Sequence, residues 1–226
     1  MTGRSLPSTI AIDGPAASGK SMLGRALAER LGYAFFDTGL MYRAFTVLAL
    51  RRGVGATDAA GCAELAVGMD LRFETGREAR ILLGSEDVTG VLRSAEVEAN
   101  VSAYSALPAV RAAMATQQRA LAARGSAILA GRDIGTVVLP EAPLKLYLEA
   151  SEEARTRRRA GQTGEWGAPQ AHADARRDIS GRDRVDSARE ASPLRPASDA
   201  IVIDTTDMTI GEVIEQAMEH IRCATG

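Results

Sequence analysis

The segment Gly14-Pro15-Ala16-Ala17-Ser18-Gly19-Lys20-Ser21 has the spacing G-x-x-x-x-G-K-[ST]. In that pattern loop amides cradle phosphates, the lysine reaches the terminal ones and the Ser/Thr hydroxyl can ligate Mg²⁺. The chemistry it points to is that of nucleotide phosphates. Of the 27 basic residues only two are lysines, Lys20 and Lys145, and one of them falls at the position the pattern requires.

The elements needed to hold such a loop flank it. Thr9-Ile10-Ala11-Ile12-Asp13 reads as a short buried strand. After the loop, Met22, Leu23, Ala26, Leu27 and Leu31 recur at helical spacing until Gly32 stops the helix. The positive helix end then adds to the loop amides. Further apolar runs at Ala34 to Phe36, Ser126 to Ala130, Leu144 to Leu148 and Ala200 to Ile203 suit strands buried on both faces, with helical patterns between them. Five strands alternating with helices predict an α/β fold with a five-stranded parallel sheet.

Two segments break this alternation. Asp70 to Phe73, Ala79 to Leu83 and Glu86 to Val88 alternate in polarity around Thr75-Gly76 and Gly84-Ser85 turns, which predicts a small antiparallel β insertion. From Ser151, an N-cap candidate, a basic helix runs through Arg155, Arg157, Arg158 and Arg159. Gly161, Gly164 and Gly167 are expected to interrupt it before Pro169 opens a returning helix, giving a helical lid.

Composition bounds the rest. At 226 residues the chain holds one α/β core with a modest insertion, and a formal charge of -2 offers no global attraction to nucleic acid or an anionic membrane. The longest apolar-rich stretch, around Phe45 to Leu50, is far too short to span a bilayer, and residues Met1 to Ser8 have no apolar core. A soluble, cytoplasmic protein is expected. Cys62 and Cys223 have no metal or redox spacing, and His172 and His220 are isolated and read as surface residues.

Three arginine-bearing segments follow strand ends or the lid, where α/β proteins place ligands: Asp37-Thr38-Gly39 with Tyr42-Arg43, Gly131 to Val138, and Arg182 to Arg189. Together with Ile12-Asp13-Gly14-Pro15, Pro143, Pro193-Leu194 and the inserted sheet, the chain from about Ile10 to Met218 resembles the bacterial cytidylate kinases. These are nucleoside monophosphate kinases that phosphorylate CMP and dCMP with ATP and Mg²⁺. The resemblance implies a P-loop kinase fold and assigns Arg43, Arg132 and Arg189 to an acceptor-phosphate clamp. It assigns Arg182 and Asp186 to the sugar, and Ser102, Arg111 and Asp133 to the base. Thr38 stands where many relatives have Ser, which keeps the hydroxyl.

The chemistry agrees with that resemblance. An acceptor phosphate is already ionised, so transfer needs positive charge in a dry cleft more than it needs a base. Lys20 and the lid arginines, Arg157 first among them, are expected to stabilise the group in flight, with Ser21 as the protein's Mg²⁺ ligand. Organisation is expected as one kinase domain: core 1–67, 96–150 and 190–226, insertion 68–95 and lid 151–189. The expected partners are ATP, CMP and dCMP, without nucleic acid or membrane, and the expected state is a monomer. Arg132 and Asp133 could also simply pair with each other. The rivals are another small-molecule P-loop kinase, such as an adenylate or shikimate kinase, and a nucleotide switch. For the switch, Asp87-Val88-Thr89-Gly90 has the spacing of its motif, but an Asn-Lys-x-Asp guanine reader cannot exist with lysine only at positions 20 and 145.

Overall fold

The computed structural model describes residues 6–74, 80–162, 169–188 and 192–224. Its main sheet has five strands: β1 (Thr9–Asp13), β2 (Ala34–Asp37), β6 (Ala127–Ala130), β7 (Leu144–Glu149) and β8 (Ile201–Asp204), in the order β2-β6-β1-β7-β8. β1 pairs in parallel with β6 and with β7, placing Ile10 beside Ile128 and Ile12 beside Leu146. Every residue of β1 and β6 is buried. That is why these strands read as continuous apolar runs, with no exposed face to impose alternation.

The chain packs as two compact units, Met1–Phe35 with Arg124–Gly226, and Phe36–Ala123. In the first, α1 (Lys20–Leu31) and α8 (Ile210–Ala224) pack with the sheet strands into a core that includes Ile10, Ile12, Leu23, Leu27, Leu146, Ala217 and Ile221. Gly32 ends α1 in the left-handed conformation at φ 70°, the C-cap that its position predicts. Leu23 is completely buried there. Leu23→Ala should therefore cost about 2 to 5 kcal/mol of stability, a fall in Tm of at least about 4 °C for a chain of this size. Thermal denaturation checks it, and an unchanged Tm would contradict this core.

The same unit holds α6 (Glu152–Gln162) and α7 (Pro169–Ser187). The Ser151 hydroxyl accepts from the Ala154 N–H at 3.3 Å, the predicted cap. α6 differs from expectation in running through Gly161 to Gln162. A helical glycine costs only about 1 kcal/mol relative to alanine, and packing of α6 on α7 offsets it. The expected tip, with Gly164, Trp166 and Gly167, lies outside the described residues.

The second unit contains α2 (Thr38–Arg51), α3 (Ala59–Val67), α4 (Ala95–Ser105), α5 (Pro108–Ala122) and an antiparallel sheet of β3 (Leu71–Glu74), β4 (Arg80–Leu83) and β5 (Glu86–Asp87). The inserted small sheet is thus present; the expected Thr75-Gly76 turn lies outside the described residues. Asp87 of the switch-like spacing accepts the Thr89 N–H at 2.9 Å and caps a turn.

Candidate active site

Strand β1 delivers the chain into the phosphate loop through Gly14, whose φ is 147°. A Cβ there would lie 2.3 Å from the carbonyl oxygen of Leu148, so only glycine allows this approach to β7. Ala17 and Gly19 also adopt positive φ, 58° and 98°, and Gly19 is the N-cap from which α1 starts. Alternating handedness turns successive N–H groups to one side, the concavity that binds anions. Lys20 is buried and folds over the loop, its Nζ donating to the Pro15 carbonyl at 2.6 Å and the Ser18 hydroxyl at 3.2 Å. The ammonium is thereby stationed above the cradle. Beside the loop lies a cleft of about 430 Å³ lined by Pro15, Tyr147, Glu149, Ala150, Ser151, Asp204 and Thr206, a volume suited to a small ligand.

Helices α6 and α7 also hold the loop. Arg155 donates to the carbonyls of Ala150 at 3.1 Å and Ala16 at 3.2 Å and pairs with Asp183. Asp183 in turn accepts the Ala16 N–H at 3.3 Å. Arg158 binds the Thr205 hydroxyl at 3.0 Å, and that hydroxyl donates to the Glu149 carbonyl at 2.9 Å. Arg159 and Arg182 share the two oxygens of Asp178, at 3.1 and 2.8 Å. Arg157 is exposed on α6. Neither Arg155 nor Asp183 stood among the predicted site residues, although Asp183 lies inside the Arg182 to Arg189 pattern.

After β6, Arg132 does not pair with its neighbour Asp133. Its Nε donates to Asp186 of α7 at 2.8 Å, so two predicted site residues distant in sequence are joined. Asp133 is buried at the head of a single π-helical turn, Ile134–Val138. The amides of Ile134 and Gly135 donate to the Asp13 carboxylate at 2.8 and 2.7 Å. Burial pushes the Asp13 carboxyl up to about 6, against the pull of those two N–H donors and of Lys20, and Asp133 adds to the rise. Arg189 lies outside the described residues.

The remaining predicted residues belong to the second unit. Asp37 caps α2 by accepting the Gly39 N–H at 3.0 Å, and Thr38 is buried at the first helical position. Arg43, one turn on, is buried with one guanidinium nitrogen on the Leu92 carbonyl at 3.0 Å and Glu98 at 2.8 Å. Glu98 carried no signal in the sequence. Arg111 of α5 donates to the Ser105 carbonyl at 3.1 Å and lies 5.4 Å from the centre of the Tyr42 ring. Ser102 is half-buried on α4, where its carbonyl accepts from the Ser105 hydroxyl at 3.2 Å. Arg43, Tyr42, Arg111 and Ser102 are therefore held by a joint scaffold of α2, α4 and α5. His172 is partly exposed on α7, its Nε2 3.4 Å from a Glu153 carboxylate oxygen of α6.

Comparison with known proteins gives a consistent result. The family model described as Cytidylate kinase matches residues 10–223. The chain is 45% identical over 216 residues to the cytidylate kinase of Mycolicibacterium paratuberculosis, covering 94% of each protein. It is 44% identical over 213 residues to that of Carboxydothermus hydrogenoformans, covering 94% of this chain and 96% of the relative. To the cytidylate kinase of a Geobacillus species it is 43% identical over 213 residues, 94% of this chain and 95% of the relative.

Proposed function

The chain belongs to the cytidylate kinase family, and we propose that it transfers the terminal phosphoryl group of ATP to CMP and dCMP, giving CDP and dCDP. Phosphotransfer to cytidylate is the activity of this family. The observation that supports the reading most is the match of residues 10–223 combined with the built phosphate loop, in which Lys20 is already stationed.

The loop Gly14 to Ser21 holds the phosphates of ATP. Lys20 exchanges its bonds to Pro15 and Ser18 for oxygens of the group being transferred. Among the described residues no cluster of three or more His, Cys, Asp or Glu could hold a metal. The hydroxyl of Ser21 at the start of α1 is nonetheless the hard oxygen donor that Mg²⁺ accepts beside phosphate and water. The ion would supply charge neutralisation at the donor phosphates. Arg157 is assigned to ATP; Arg43, Arg132 and Arg189 to the acceptor phosphate; Thr38, Arg182 and Asp186 to the remainder of the nucleotide; and Ser102, Arg111 and Asp133 to the base. Arginine suits this work because its planar fork binds phosphate oxygens bidentately and keeps its charge. Water must be excluded during transfer, since otherwise ATP would be hydrolysed. We place the enzyme in the cytoplasm as a monomer.

Cytosine offers a donor at its exocyclic amine and an acceptor at the ring nitrogen, whereas uracil reverses both. A carboxylate or hydroxyl taking the amine and an arginine donating to the ring therefore favour cytosine. Asp133→Ala should lower the CMP-to-UMP ratio of kcat/KM, chiefly by loss of CMP activity, with about 1 to 3 kcal/mol for the lost contact. Ser102→Ala and Arg111→Ala should act in the same direction. Steady-state kinetics with both acceptors decides the matter: equal slowing of CMP and UMP in all three variants would place the base reader elsewhere.

A further inference from the structure

Asp13 takes no part in the chemistry described above, yet its carboxylate is buried, 4% exposed, where β1 gives way to the phosphate loop. Each of its oxygens accepts one backbone N–H, Oδ1 from Ile134 at 2.8 Å and Oδ2 from Gly135 at 2.7 Å. Those amides open the π-helical turn Ile134–Val138 immediately after Arg132 and Asp133. Leading N–H groups of a helical turn have no partner within it, and the carboxylate satisfies both at once.

The fit leaves no slack on the opposite side. A Cβ on Gly135 would stand 3.3 Å from the Asp13 Oδ2 and 3.1 Å from the Lys145 Cδ. Lys145 is itself anchored, its Nζ bonded to Asp199 at 2.7 Å and to the Pro140 carbonyl. The backbone of Asp13 meanwhile continues into Gly14, the residue that brings the loop against Leu148. One side chain thus ties the start of the phosphate loop to the segment that carries Arg132 and Asp133. Holding an ionised carboxylate in the core is unfavourable unless its bonds are complete. Closing the core would not require that group; fixing two amides does.

We propose that Asp13 is a positioning residue for acceptor recognition, clamping the Ile134 and Gly135 amides so that Arg132 and Asp133 are held at a set place relative to the phosphate loop. This rests on the reading of Arg132 and Asp133 as acceptor contacts. Asp13→Asn keeps the volume but turns an NH₂ donor toward one of the two N–H groups. It should raise KM for CMP at least fivefold, leave KM for ATP within twofold and lower the preference for CMP over UMP. Gly135→Ala presses on the same contact from the other side and should produce the same split. A variant that loses Tm but leaves KM for CMP unchanged, or raises both KM values alike, overturns the proposal. Should Asp13→Asn not fold, Gly135→Ala is judged by the same split, and failure of both to fold also overturns it, because the role assigned is aim and not survival of the fold. Arg132→Ala, measured in the same assay, separates the two levels. If it raises KM for CMP while Asp13→Asn does not, only the positioning role fails; if it leaves KM for CMP unchanged, the acceptor reading fails as well.

Discussion

Replacing Lys20 with alanine is expected to leave a folded protein whose turnover has fallen at least about a hundredfold, the scale seen when one preorganised donor to transition-state charge is removed. Charge on the group in flight is greatest between donor and acceptor oxygens, and an ammonium held above the loop opposes it without having to be recruited. The bonds of Nζ to Pro15 and to Ser18 are local to the loop. Their loss should cost stability by only about 1 kcal/mol each. A single-turnover measurement with saturating ATP and CMP, paired with thermal unfolding, tests both halves. Turnover above about a tenth of the parent would mean that the lysine contributes under about 1.4 kcal/mol to the transition state, too little for the role assigned.

Arg132→Ala should reduce kcat/KM for CMP by roughly tenfold or more while leaving ATP binding almost unchanged, since losing a hydrogen bond to a charged group costs about 1.5 to 3 kcal/mol. The structure adds a reason for a large effect. Arg132 pairs with Asp186, itself assigned to the nucleotide, so the variant removes one assigned acceptor contact together with a cation beside a second. Arg43→Ala, which likewise removes a cation beside a carboxylate, that of Glu98, should behave alike. Lysine at either position should rescue only in part, because a point charge does not reproduce the fork that binds two phosphate oxygens. Acceptor titrations and direct ATP binding, measured on the same preparations, give the comparison. Equal losses on both sides would remove these arginines from the acceptor clamp.

Much of this architecture is legible along the chain, for identifiable reasons. β1 and β6 are buried along their whole length and appear as short apolar runs, β7 keeps the same character apart from Lys145 and its exposed end at Glu149, and the phosphate loop appears because its conformation demands particular residues at particular spacings. The inserted sheet is visible because β3 alternates between half-buried and exposed positions and glycines separate the strands in sequence, although β4 is covered from Ile81 through Leu83. Charge partners are a different matter. Arg155 meets Asp183 across 28 residues and Asp13 meets Ile134 across 121, and no local period records such meetings. Helical period does hold one clue in the basic helix α6. Arg155, Arg158 and Arg159 share a face of α6 at spacings of three and four, and these are the arginines that reach the loop, Thr205 and Asp178; Arg157 lies off that face and is exposed. The pairing of Arg132 with Asp186, and not with Asp133, likewise depends on where α7 returns.

The most direct test of the assignment is ADP release from ATP and Mg²⁺, followed in a coupled assay without acceptor and then with CMP, dCMP, UMP, AMP and shikimate in turn. Release that depends on CMP or dCMP, with little turnover on the other acceptors and little in their absence, is the predicted result. Hydrolysis independent of any acceptor, or transfer to AMP or shikimate in preference to CMP, would contradict it.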